Sequence, residues 1–409
     1  MDDSMKVSRR QWLQSAASLA VGGVWPCSRL WAAPAAQSRL VVVMLRGAYD
    51  GLSALVPYDE PFYYESRPTI AIARPRPEAE GEGALRLDGR WALHPMLANN
   101  AGDLWLAGQL AFVPFCGTGF VSRSHFQAQD WMESGKLPEQ RPNVNEGFLN
   151  RLVSELGGTA VGFTQNLPVA LRGAHKVVNA PISGRDHSPQ SGSSSGEFLE
   201  QVTRLYQGHA LESMVREGLG LRQSLSVELM TEMDSSGRDA LPAAGFALEA
   251  VRVARHMREH PQLNIAFIDV GGWDTHAGQG AEQGSLAGRL GALGNGLEFL
   301  ARELGQQWRN TVVVVLSEFG RTFRENGSKG TDHGHGNVLW VAGGAVKGGS
   351  VKGEQGRLDA ASLHQGRDMP VLNEYRAVLG GLFAGMFDLK AAPLERVFPG
   401  ALPRNLQLV

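Results

Sequence analysis

Leu40-Val41-Val42-Val43-Met44-Leu45 is an unbroken apolar run that stops at Arg46-Gly47. A strand with one face in water would alternate apolar and polar residues; this one does not, so both of its faces are expected to be buried. The polar turn through Asp50-Gly51 then falls at its carboxyl end. The pattern recurs in Leu110-Ala111-Phe112-Val113-Pro114-Phe115, Leu263-Asn264-Ile265-Ala266-Phe267-Ile268 and Thr311-Val312-Val313-Val314-Val315-Leu316. Val338-Leu339-Trp340-Val341-Ala342, ending at Gly343-Gly344, is a fifth expected strand. Helical patterns lie between them at residues 94–107, 125–134, 145–156 and 286–307, and residues 160–178 carry short strands. Helices alternating with almost wholly apolar strands predict an α/β fold, a mostly parallel central sheet between helices on both faces. The polar stretch 183–196 predicts a surface loop. Residues 197–260, helical but broken by Gly218, Gly220, Gly237 and Pro242, predict a helical cap or insertion.

The chain has 409 residues, enough for one large α/β domain or two smaller ones. Its first residues read as an export signal. Ser8-Arg9-Arg10-Gln11-Trp12-Leu13 carries twin arginines, residues 16–25 are apolar but too short to span a bilayer, and Ala32, Ala33, Ala35 and Ala36 offer a cleavage region. The expectation is a twin-arginine signal peptide at 1–36 and a mature domain at 37–409, exported folded to the periplasm or beyond. Val24-Trp25-Pro26 is a poor context for lipid attachment at Cys27. Export in the folded state raises the expectation of a metal or cofactor acquired before crossing. With Cys27 removed, Cys116 remains alone and no disulfide can form within the mature chain. A net charge of −2 calls for neither nucleic acid nor a membrane surface, and no later run has transmembrane length.

Polar clusters follow the expected strands, at the sheet edge where α/β proteins bind ligands. Asp269 and Asp274-Thr275-His276 lie in a glycine-rich turn and could share a metal or a substrate oxygen; an Asx-turn is the structural alternative. In Ser317-Glu318-Phe319-Gly320-Arg321, Glu318 is a candidate ligand or base and Arg321 a candidate clamp for an anionic oxygen, unless the two simply pair. Asp332-His333-Gly334-His335 is the most site-like segment, since imidazole is the commonest ligand for metals such as zinc. Ser122-Arg123-Ser124-His125 opens a helix, where the dipole favours an anion and a serine can act as nucleophile. Ser124 with Gln127 also fits a capping box. Arg46 and Asp50 fall on the same edge.

Together, residues 45–52, 123–126, 271–276, 317–321 and 331–336, behind the twin-arginine leader, resemble the bacterial family called "domain of unknown function 1501". That family looks like a remote branch of the alkaline phosphatase and sulfatase superfamily. The resemblance implies an alkaline phosphatase-like fold and a metal site along one sheet edge, with Ser124 as nucleophile and Ser122 as its alternative. It implies metal ligands among Asp269, Asp274, His276, Glu318, His333 and His335, with Asp50, His125 and Asp332 as further candidates. The superfamily has an Asp directly after the first strand, where this chain has Arg46, and an Asp-His pair where it has Ser317-Glu318; two metals in the usual arrangement are therefore not implied.

The expected function is an exported hydrolase of phosphate or sulfate esters that uses a divalent metal (zinc, calcium, magnesium or manganese). Ser124 would attack and Arg46 or Arg321 would hold an anionic oxygen. The expected partners are an anionic small-molecule or cell-envelope substrate and the twin-arginine export machinery. A non-catalytic envelope-binding protein, or a phosphotransferase or isomerase, on the same fold are the alternatives.

Overall fold

The structure is a computed structural model that describes residues 38–76, 83–180, 204–208, 212, 237 and 240–409. The export segment, the loop at 183–196 and most of 197–240 lie outside the described residues.

Six strands form the body of one sheet: β1 (Arg39–Leu45), β2 (Leu110–Gly117), β3 (Thr159–Phe163), β4 (Leu263–Gly271), β5 (Thr311–Ser317) and β6 (Asn337–Ala342). Their spatial order is β2-β6-β5-β1-β4-β3, with two-residue strands added at the edges. β1 lies at the centre, parallel to β5 and β4, and β3 continues parallel to β4. Only β6 runs against its neighbours. The sheet is thus mostly parallel, as the apolar runs imply.

β1 shows why those runs have no polar face. Val41, Val43 and Leu45 join one core, and Leu40, Val42 and Met44 join the other. The framing helices, numbered in chain order, are α1 (His125–Ser134), α2 (Phe148–Leu156), α3 (Phe246–Glu259), α4 (Ser285–Leu304), α5 (Tyr375–Phe387) and α6 (Ala391–Val397). α3 and α4 cover the first core through Phe246, Val253, Leu290 and Leu297. α2, α5 and α6 cover the second through Leu149, Leu152, Leu379, Phe383 and Leu394. Residues 246–259, expected within a cap or insertion, therefore belong to the layer that covers the sheet.

Two helix expectations change. The helix expected over 94–107 is a 3-10 turn, Pro95–Leu97, followed by a short helix, Ala101–Leu106. The Asn100 side chain caps Ala101 N and restarts the chain there, as an asparagine N-cap does. α4 ends at Leu304, and a 3-10 turn, Gly305–Asn310, leads into β5. Among the described residues, no helix is long and apolar enough to cross a membrane.

Parallel strands place their carboxyl ends along one edge. β6 is antiparallel, so the loop before it, not after it, reaches that edge. Arg46, His125, Asp274, Glu318 and His333 thereby arrive together from five segments of the chain.

Candidate metal centre

The loops at this edge touch backbone to backbone. A Cβ on Gly320 would come within 1.9 Å of Gly336 O, and Gly320 N donates to His335 O at 2.8 Å. Gly47, at φ +109°, lies so close to Asp274 that a Cβ would meet its backbone N at 2.8 Å. Side chains at either position would push apart the loops that carry the site residues.

Three imidazoles meet at one carboxylate. His125 Nε2 and His276 Nε2 lie 2.9 and 2.8 Å from His333 Nε2. Asp274 Oδ1 is 2.9 Å from His276 Nε2 and 3.3 Å from His333 Nε2, and Asp274 Oδ2 is 3.3 Å from His125 Nε2. All four side chains are buried. His125, Asp274 and His333 each offer a ligand atom within 4.8 Å of the others, the spacing of a metal site.

The opposite ring nitrogens decide the tautomers. His125 Nδ1 faces Glu318 Oε1 at 2.8 Å, His276 Nδ1 faces Asp332 Oδ1 at 3.2 Å, and His333 Nδ1 faces the Arg123 carbonyl at 2.7 Å. Each acceptor needs a proton on Nδ1, which leaves the Nε2 lone pairs facing one another. Asp274 Oδ2 is buried and has no hydrogen-bond donor. Converging lone pairs beside a carboxylate repel unless a cation joins them, and outward Nδ1–H bonds are what orient histidines around a metal. This donor set fits a divalent ion of the zinc type.

Without a metal, protons serve instead. Burial opposes charge on His125, but its contacts with Asp274 and Glu318 prevail and raise it to about 9. His276 is raised as well, by Asp274 and then Asp332, against burial. Burial disfavours the Asp274 anion, yet the three imidazoles and Arg321 hold it far below the usual carboxylate range.

The remaining sequence candidates have other duties. Glu318 is one layer out: its Oε1 accepts from Gly47 N, Gln129 Nε2 and His125 Nδ1, and its Oε2 from Ser317 Oγ. Despite burial, the contacts with His125 and then Gln129 lower it to about 2. Asp269 is not in the loop at all, because β4 runs on to Gly271; its Oδ2 accepts from Arg46 Nε at 2.8 Å. Arg46 also donates to Glu133 at 2.8 Å and Gln129 at 3.1 Å. Arg321 does not pair with Glu318; it donates to Asp274 Oδ1 at 2.6 Å and to Thr331 O. Asp50 is committed to Arg67, Ser53 and Gln279. His335 packs against the His364 ring, 4.5 Å between centroids, and burial lowers it to about 4. It takes no part in the cluster.

Ser124 is the N-cap of α1, but its side chain makes no capping bond. The capping box is replaced by a bond between Ser122 Oγ and Gln127 Oε1 at 3.1 Å, and Ser122 Oγ also accepts from Ser124 N. Ser124 stands between Arg123, whose carbonyl fixes His333, and His125.

A layer of supports behind these residues is not marked by any of the sequence motifs. Gln129 and Glu133 follow His125 at intervals of four on α1, so a helical reading of 125–134 places all three on one face. Gln279 donates to Asp50 and accepts from Thr275 and Thr331, tying the Asp50–Arg67 pair to the Asp274 loop. No local pattern announces Gln279; its role exists only through long-range contacts.

Among curated proteins, none matches this chain. Solved structures of similar shape include Ps i-CgsB in complex with k-i-k-neocarrahexaose, at 11% identity and a TM-score of 0.40, covering 90% of this chain and 75% of that one. BT1596, a 2-O GAG sulfatase, is 11% identical with a TM-score of 0.38, over 87% of this chain and 71% of that one. The lipoteichoic acid synthase LtaP from Listeria monocytogenes is 9% identical with a TM-score of 0.37, over 91% and 76%. Likenesses of this size leave the activity to be argued from the site. The sequence itself is decisive about kinship: residues 37–398 match the model of one family, and the chain belongs to that family, described as a protein of unknown function (DUF1501).

Proposed function

We propose that this chain is a metal-dependent hydrolase of phosphate or sulfate esters, with His125, Asp274, His276 and His333 as metal ligands and Ser124 as nucleophile. The observation that carries the reading is the meeting of three Nε2 atoms at Asp274, each ring anchored outward through Nδ1. A bound divalent ion would supply Lewis acidity toward an ester oxygen and lower the pKa of a bound hydroxyl.

The chain's own residues supply the rest. Ser124 has a hydroxyl unspent on capping, at the positive end of a ten-residue helix. Its Oγ would bond to phosphorus or sulfur and lose its proton while the ester oxygen leaves and takes one up; water would then free the serine. Arg321 holds Asp274 in place, and Arg46 is held by two carboxylates, so neither is free to clamp substrate. Arg123, exposed and next to Ser124, takes that role in this reading. The expected export through the twin-arginine pathway is part of the proposal; periplasmic fractionation of the tagged full chain, with Arg9 and Arg10 intact or replaced by Lys, tests it.

The zinc- or manganese-loaded protein offered aryl phosphate and aryl sulfate is expected to hydrolyse at least one. Ser124→Ala should then lower kcat by roughly 10³-fold or more, and Arg123→Ala should chiefly raise KM. Hydrolysis undiminished in Ser124→Ala removes the nucleophile assignment. Tightly held metal with no hydrolysis of either ester would instead support the envelope-binding alternative.

A further inference from the structure

We infer that the site takes a single divalent ion, because Arg46 is a built-in cation that neutralises the acids on the other side of Glu318. This rests on the metal-site reading above.

Four buried carboxylates form a continuous chain at the sheet edge: Glu133, Asp269, Glu318 and Asp274. They are linked by Arg46, by Gln129, which touches both Arg46 and Glu318, and by His125, which touches Glu318 and Asp274. Two buried guanidiniums, Arg46 and Arg321, accompany them. The nearby Asp50–Arg67 pair is neutral in itself, and Asp332, with a side chain 53% exposed, is compensated by water. Arg289, behind Gly272, is only partly buried and takes no part in the ion pairs that Arg46 and Arg321 make with these acids. With the three imidazoles neutral, as metal ligands are, two negative charges remain among groups that solvent cannot reach, which is the charge of one divalent ion. Uncompensated buried charge is strongly unfavourable, so once one ion has replaced the imidazole protons a second would leave an excess of buried positive charge.

Geometry agrees with the count. Arg46 Nε and Nη1 lie 2.8 Å from Asp269 Oδ2 and from Glu133 Oε1, so the guanidinium fills the space between the two carboxylates. Both acids therefore already have their cation. The buried Asp269 Oδ1 has no hydrogen-bond donor, a spare acceptor that a small cation would use if the guanidinium were absent. Among the described residues, the group whose ligand atoms gather at metal spacing lies on the other side of Glu318, around Asp274.

The test is zinc stoichiometry, by native mass spectrometry and by equilibrium dialysis of the purified chain against micromolar zinc. Wild type and Arg46→Lys are expected to hold one tightly bound zinc per chain. Arg46→Gln, which frees Glu133 and Asp269, is expected to hold two. Two zinc ions in the wild type overturn this inference and leave the metal-site reading standing; none in the wild type overturns both. A folded Arg46→Gln that stays at one zinc also overturns it. If Arg46→Gln does not fold, the wild-type and Arg46→Lys counts decide, since two ions in either contradict a built-in cation.

Discussion

At the scale of residues, the site is governed by what lies behind the proposed ligands. The motifs around Asp274, His276 and His333 were legible because Asp and His recur among glycines. His125 is legible only as an extra candidate, since a histidine opening a helix has no pattern of its own. His335 shares a segment with His333, but its ring packs on His364. Two expectations follow from the outer contacts. Asp332 is half exposed and holds His276 Nδ1, so Asp332→Ala should weaken zinc binding about 10–100-fold while barely moving the urea midpoint; competition against a chromophoric chelator measures this. His335 is held neutral, with a folded pKa near 4 against an ordinary value of 6.5. The folded state thus binds fewer protons than the unfolded chain between those values. The stability this group contributes is complete above about pH 6.5 and is lost as pH falls toward 4, by on the order of 3 kcal/mol. Urea unfolding at pH 7 and pH 4.5 should show a smaller acid loss for His335→Asn than for the wild type; equal losses would contradict the assignment.

At the scale of elements, the apolar runs announced five of the six strands and their burial, because a strand covered on both faces needs no polar residue. The direction of β6 was not legible, since an apolar run reads the same parallel or antiparallel. That direction matters: it brings the loop before β6 to the site edge and lets 332–335 pair with 320–322. Nor did the sequence show that β4 continues through Asp269, which turned an expected ligand into Arg46's partner. The close stacking of these loops gives an expectation of its own. Gly320→Ala would force a methyl into Gly336 O, so it should lower stability by about 1–3 kcal/mol and reduce zinc affinity together, because His333 and Glu318 lie on the two loops pushed apart. Unchanged zinc affinity in a destabilised Gly320→Ala would show that the loop contact does not position the ligands.

At the scale of the molecule, one sheet gathers segments more than two hundred residues apart, such as His125 and His333, into a site that no short segment could build. On the proposed metal site, folding and metal binding are therefore coupled. Zinc at 100 times its dissociation constant should add about 2.7 kcal/mol to unfolding, and a chelator should remove that gain; His333→Ala should show neither effect. The central claim is that His125, Asp274, His276 and His333 surround one ion. Anomalous diffraction at the zinc edge from crystals of the zinc-loaded chain tests it most directly. A strong peak within bonding distance of Asp274 and the Nε2 atoms of His125, His276 and His333 is the expected result; zinc bound elsewhere, or the three imidazoles still in mutual contact with no peak between them, would contradict it.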